Sequence, residues 1–263
     1  MTSCKLLLPL ALGTLVVLTT GGCGGGEAAS WIVRENAGVL QISYGSGVDY
    51  PQYAALHLAS GYLRLVPTRT AGWGTSVVLL PSLWTGGAYH QGAAITSTPV
   101  VEGDDLLIPF TGTIAGLTTT GQVRLSPPAE GKLRAQVTVS VAGSATLDNN
   151  RPGEAFKPVM LSSMHLSATQ WDAQSAFLGT QTYPLPAAGW IVTPPASAQV
   201  FGLRGGTSTW KTEAPTLTVT LDQARPITGW VTASADPNDD NVGLWASADT
   251  VLGSWEYELV AEE

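Results

Sequence analysis

From residue 133 to 141 apolar and polar residues alternate without a break. Leu133, Ala135, Val137, Val139 and Val141 are separated by Arg134, Gln136, Thr138 and Ser140. A period of two is that of a β-strand with one wet face; helical apolar positions recur every three or four residues instead. The same period returns at 122–125, and the proline- and glycine-containing loop 126–131 turns the two runs into a hairpin. Leu217, Val219 and Leu221 oppose Thr216, Thr218 and Thr220, and Trp255, Tyr257 and Leu259 oppose Glu256 and Glu258. Within 56–65, a two-residue turn at Ser60-Gly61 would set His57 opposite Arg64 and Leu58 opposite Leu63. The run 77–80 is apolar on both faces, as a strand inside a packed sheet is. No long window carries a 3.6 period; 170–177 reads as a short helical turn at most. These patterns predict an all-β chain: an antiparallel β-sandwich, either a jelly-roll or an enlarged sandwich, with little helix.

Composition narrows the partners. Charged residues are only 12% of the chain and the formal net charge is −8. Without a Lys/Arg cluster, such a chain does not bind nucleic acid and gains nothing from anionic lipid surfaces. Nine tryptophans and 30 glycines on so few charges fit sheets joined by tight turns, with aromatic surface left over.

Near the N-terminus, Lys5 precedes an apolar run, 6–18, and then Thr20, Gly21, Gly22 and Cys23. A short basic region, a short apolar region and small residues before a cysteine are the parts of an export signal. This segment resembles the signal of bacterial lipoproteins, although Thr20 stands where that family usually has Leu. The resemblance implies a signal peptide over 1–22 and acylation of Cys23 by long chains such as palmitate. It further implies a short tether over 23–29 and attachment to a membrane on its extracytoplasmic side, in the bacterial cell envelope or at its surface. An ordinary secretory signal cut near Ala28-Ala29 is the other reading. Two or more acyl chains make anchoring stable rather than transient. The only other cysteine, Cys4, lies inside the signal, so 30–263, read as a single β-sandwich domain, carries no internal disulfide.

Three clusters are candidates for chemistry. Read as one strand, 160–171 puts Ser163, His165, Ser167 and Trp171 on one face, and Met160, Ser162, Met164 and Leu166 on the core side. Hydroxyls, an imidazole and an indole on one sheet surface suit a sugar ring, whose apolar face stacks on an aromatic while its hydroxyls find donors and acceptors. Around Gly86-Gly87 and Gly92, glycines present Tyr89, His90 and Gln91 on an exposed loop or bend; Tyr89 and His90 are an acid–base pair in type, and Arg204 or Arg64 would neutralise a uronate. Finally, Asp236, Asp239, Asp240 and Asn241 offer side-chain oxygens to calcium, without EF-hand spacing; an Asx-rich turn has the same composition.

No Gly-x-Ser-x-Gly elbow, P-loop or zinc-ligand spacing occurs. Glu154, Asp172 and Asp222 are available for a glycosidase pair. The function expected from the sequence is a lipid-anchored extracytoplasmic β-sandwich that binds a glycan or an envelope partner. The alternatives are a polysaccharide-active enzyme, lyase or hydrolase, on the same fold, and an envelope lipoprotein with no small ligand.

Overall fold

The computed structural model describes residues 15–17, 29–46, 49–66, 75–129, 132–146, 148, 158–166, 171–172, 175–184, 189–192, 196–204, 207–208, 216–233, 240–247 and 254–262. Some of these strands, 158–166 and 240–247 among them, are followed by backbone pairing alone. The chain is all-β with large antiparallel sheets, and no helix occurs among the described residues.

One layer runs Leu15–Val17, an edge strand from the segment read above as the export signal and absent from a chain cut before Cys23, then Ser30–Asn36, Val39–Gly45, Gln52–His57, Tyr62–Leu65, Thr75–Val78 and Pro158–Leu166. It continues through Asp240–Ser247 and the second half of Thr216–Ala233 to Gly189–Val192. The other layer starts with Asp105–Ile114, Leu117–Leu125, Lys132–Ala142 and Ser254–Glu262. It continues through the first half of Thr216–Ala233 to Ala196–Arg204, Ser175–Leu178 and Gln181–Pro184.

Inward residues of both layers form one core. Trp31, Leu40, Ile42, Leu56 and Leu63 from the first meet Leu106, Ile108, Phe110, Val137, Leu203 and Leu259 from the second. The fully buried Trp31 donates its indole N–H to the carbonyl of Asp104, 2.8 Å away, so its one polar atom is satisfied. Two-residue turns at Ala37-Gly38 and Ala115-Gly116 close two of the hairpins with positive φ at both positions (49° and 77°, 49° and 79°). That is the handedness that follows strand twist, at a cost for alanine.

The hairpin expected around Ser60-Gly61 has a different register. Its turn spans four residues, 58–61, with the Gly61 amide donating to the His57 carbonyl at 2.9 Å. Leu56 therefore pairs with Leu63 and Ala55 with Arg64, whereas His57 pairs with Tyr62. The shift is two residues, so every side chain keeps its face and only its neighbour changes. In 170–177, read as a short helical turn, the described residues are strand: Trp171–Asp172 pairs with Thr207–Ser208 and Ser175–Leu178 with Ala196–Arg204.

Two substitutions test the packing. A Cβ on Gly121 would collide with the Thr138 carbonyl and the Phe110 ring; Gly121→Ala should destabilise by about 1–3 kcal/mol in urea unfolding, the range for overpacking. Among the described residues the buried Thr119 hydroxyl has no hydrogen-bond partner; Thr119→Val should stabilise by about 1 kcal/mol in the same assay, because it removes an unsatisfied polar group at constant shape.

Candidate functional site

In Val39–Gly45, Gln52–His57 and Tyr62–Leu65 the alternation sends Leu40, Ile42, Ala54, Leu56, Leu63 and Leu65 inward. Gln41, Ala55, His57 and Arg64 are left on the outer face. There they border an open depression of about 610 Å³. Ala55 lies at its middle, between Gln41 on one strand and Arg64 on the next. A methyl group flanked by two long side chains makes a trough across the strands. Asn36, Gln41, Gln52, His57 and Arg64 supply its polar groups, and Val39 and Val66 add apolar wall. No carboxylate among the described residues lines it. Among the described residues these five polar side chains have no hydrogen-bond or ion-pair partner.

The trough lies on a longer rung. Arg34 pairs with Gln41, Gln41 with Ala55, Ala55 with Arg64, and Arg64 with Ser76. Ser76 pairs with His165, and His165 with Asn241. Directly paired residues occupy the same side of a sheet. His165 and Asn241, taken from separate clusters of the sequence, are thus cross-strand neighbours, two and three strands from Arg64. Ser163 pairs with Gly243 on the same strands.

The reading of 160–171 as one unbroken strand is corrected. Pro158–Leu166 has a bulge at Leu161: Met160 pairs with Trp245 and Ser162 with Leu244, leaving Leu161 as the extra residue. The bulge shifts the phase, so Met160 does not share rungs of the same face as Ser162 and Met164. Both ends meet core residues, with Val159 beside Leu83 and Met164 beside Val77. Trp171 belongs to a separate two-stranded pairing, opposite Ser208. Ser167, Asp236, Asp239, Glu154 and Cys23 lie outside the described residues, and Asp240 opens the strand Asp240–Ser247.

Tyr89 and His90 are not on an open loop. They form a hairpin with Ser82–Thr85, closed by Gly86-Gly87 with φ of 61° and 76°. The Tyr89 ring lies 5.4 Å from that of Trp84, and His90 Nε2 is 3.3 Å from the Thr85 carbonyl. Asp148 accepts the Gly87 amide and pins the tip. Arg204 is in the other layer, over the Phe177 ring at 5.1 Å and donating to the Thr182 hydroxyl. His90 and Arg204 are thus held by different partners in different layers, whereas Arg64 shares its depression with His57.

Sequence reasoning missed the trough residues Gln41, Gln52 and Ala55, because outward glutamines and a small residue look like ordinary wet face. It also missed a second groove, about 550 Å³, where Asp222 and Glu256 lie with Thr120, Thr138, Ser140 and Ser254. Gln136 donates to Glu256 at its edge, at 2.6 Å.

Compared with known protein families and with curated proteins, the chain matches none.

Tyr62, opposite His57, has its phenol pushed above the ordinary value of 10.0 by burial. A raised value means that the folded state holds the proton more tightly. The stability this contributes is complete below pH 10.0 and is lost as pH rises through the folded value. Denaturant titrations at alkaline pH should show wild type losing stability more steeply than Tyr62→Phe across that window; parallel curves would contradict it.

Proposed function

We propose that this protein is a lipid-anchored, extracytoplasmic β-sandwich that binds a glycan on the outer face of the layer containing Arg64. One observation carries the reading: five polar side chains without partners among the described residues surround a trough floored by Ala55 and flanked by Val39 and Val66. Polar groups that fold without partners are available to a ligand, and amide, imidazole and guanidinium donors around small apolar patches match sugar hydroxyls and ring faces. An open trough across several strands suits an extended chain better than a small molecule enclosed on all sides. The anchor is Cys23, on the strength of the signal that precedes it.

A second reading, a polysaccharide-active enzyme on the same fold, draws on the groove shared by Asp222 and Glu256. Glycoside hydrolysis uses two carboxyl groups on either side of the scissile bond.

One experiment on cells and one on protein test these readings. Cys23→Ser should move the protein from the membrane fraction to the soluble one or leave it unprocessed; wild-type partitioning would remove the anchor. A polysaccharide array read for both retention and released sugar should show retention without release. Release that Asp222→Asn abolishes would favour the enzyme, and no retention on any polysaccharide would overturn glycan binding.

A further inference from the structure

We infer that the glycan bound in the trough is an anionic polymer, carrying carboxylate or phosphate, that lies along the rung through Arg64. This rests on the glycan reading above and narrows it. The argument begins with how the chain disposes of its arginines. Arg124 binds Glu102 at 2.9 Å and Asp105 at 2.8 Å, Arg134 binds Glu258 at 3.1 Å, and Arg204 is stacked on Phe177. In a chain of net charge −8, carboxylates outnumber cations, and an arginine on a sheet surface readily finds one. Among the described residues Arg64 has none, and none of those that line the depression it borders is acidic.

The position adds to the charge. Arg34 lies on the same rung, three strand spacings away, or about 14 Å. It too has no partner among the described residues. Gln41 and Ala55 lie between the two on that rung; Arg34 stands beyond the residues that line the depression, so it is the rung that carries a cation at each end, with hydrogen-bonding groups between. A guanidinium fork takes a carboxylate or a phosphate with two parallel hydrogen bonds. Two such forks on one line recognise charges repeated along a chain better than one isolated ion. An overall negative protein repels polyanions at long range, so screening leaves this local pair as the point of attraction.

The test is calorimetric titration of the protein with four probes: a galacturonic acid oligosaccharide, its methyl ester, a phosphorylated mannan oligosaccharide and the unmodified mannan. Each charged probe differs from its control at the charged substituent alone: the ester masks the carboxylate, and the unmodified mannan lacks the phosphate. The expected result is at least tenfold tighter binding of one or both charged forms than of their neutral controls, weakening with added salt. Arg64→Gln should abolish the preference and Arg64→Lys retain part of it. Ala55→Leu, which fills the trough without altering charge, should weaken the charged ligand as well. Equal binding of charged and neutral forms, or a preference that survives Arg64→Gln, overturns the inference and leaves a neutral-glycan site standing. Tight charged binding that Ala55→Leu leaves unchanged places the ligand elsewhere and also overturns it. Failure of all four probes to bind, with native circular dichroism, counts against this inference; if the array also shows no retention, glycan binding itself falls. The charged probe that binds identifies carboxylate or phosphate as the source.

Discussion

The backbone ladder through Thr216–Ala233 ties the two layers together, and the rest of the architecture depends on it. Its first residues pair with Ser254–Glu262, and from Ile227 onward it pairs with Asp240–Ser247. Along its other edge, Ala196–Arg204 follows the change with a bulge between Ala198 and Val200. One continuous strand thus belongs to both sheets, and the irregularity of its neighbour absorbs the bend. Lys132–Ala142 and Pro158–Leu166, in different layers, are brought to opposite sides of one core by this strand and its partners. Most of these pairings join residues far apart in sequence, such as Gln136 with Glu258. Chains built this way close long loops before their contacts form, and they fold slowly.

How much of this could be read beforehand depends on what each inference needed. The strand from Lys132 to Ala142 was legible because one face is core and the other water: Leu133, Ala135, Val137 and Val139 are buried, and Arg134, Gln136, Thr138 and Ser140 are exposed. Alternation is a local property, and it survives without knowledge of partners. The register of the hairpin from Gln52 to Leu65 is not local in that sense. Gly61 takes a φ of 66°, and an added Cβ there would strike Leu80 and crowd the Ala93 carbonyl, so the turn is shaped by chain that passes beside it. A two-residue and a four-residue turn leave the same residues facing outward. The pattern of Gln41, Ala55, His57 and Arg64 therefore gave their face but not their neighbours.

The same limit explains the candidate site. A trough needs a short residue between long ones on adjacent strands, and such adjacency is a matter of register across three strands rather than of any motif. Met160, Ser163 and His165 were read from a single period, which a bulge interrupts. Tyr89 and His90 were grouped by the glycines around them, yet those glycines close a hairpin whose rings pack on its own strands. Residues that carry chemistry in type were legible, but their company was not.

The bulge at Leu161 has a consequence for how this strand tolerates change. An extra residue works as a phase switch: N-terminal to it, odd-numbered Val159 meets the core residue Leu83, and C-terminal to it, even-numbered Met164 meets the core residue Val77. Deleting Leu161 would regularise the strand: Met160 and Ser162 would follow one another opposite Trp245 and Leu244, and Ser163 and His165 would keep Gly243 and Asn241 as partners. Loss of a residue is absorbed at this point because Leu161 itself pairs with nothing on Asp240–Ser247, whereas a deletion in a one-to-one stretch of ladder slips the register and exchanges the faces.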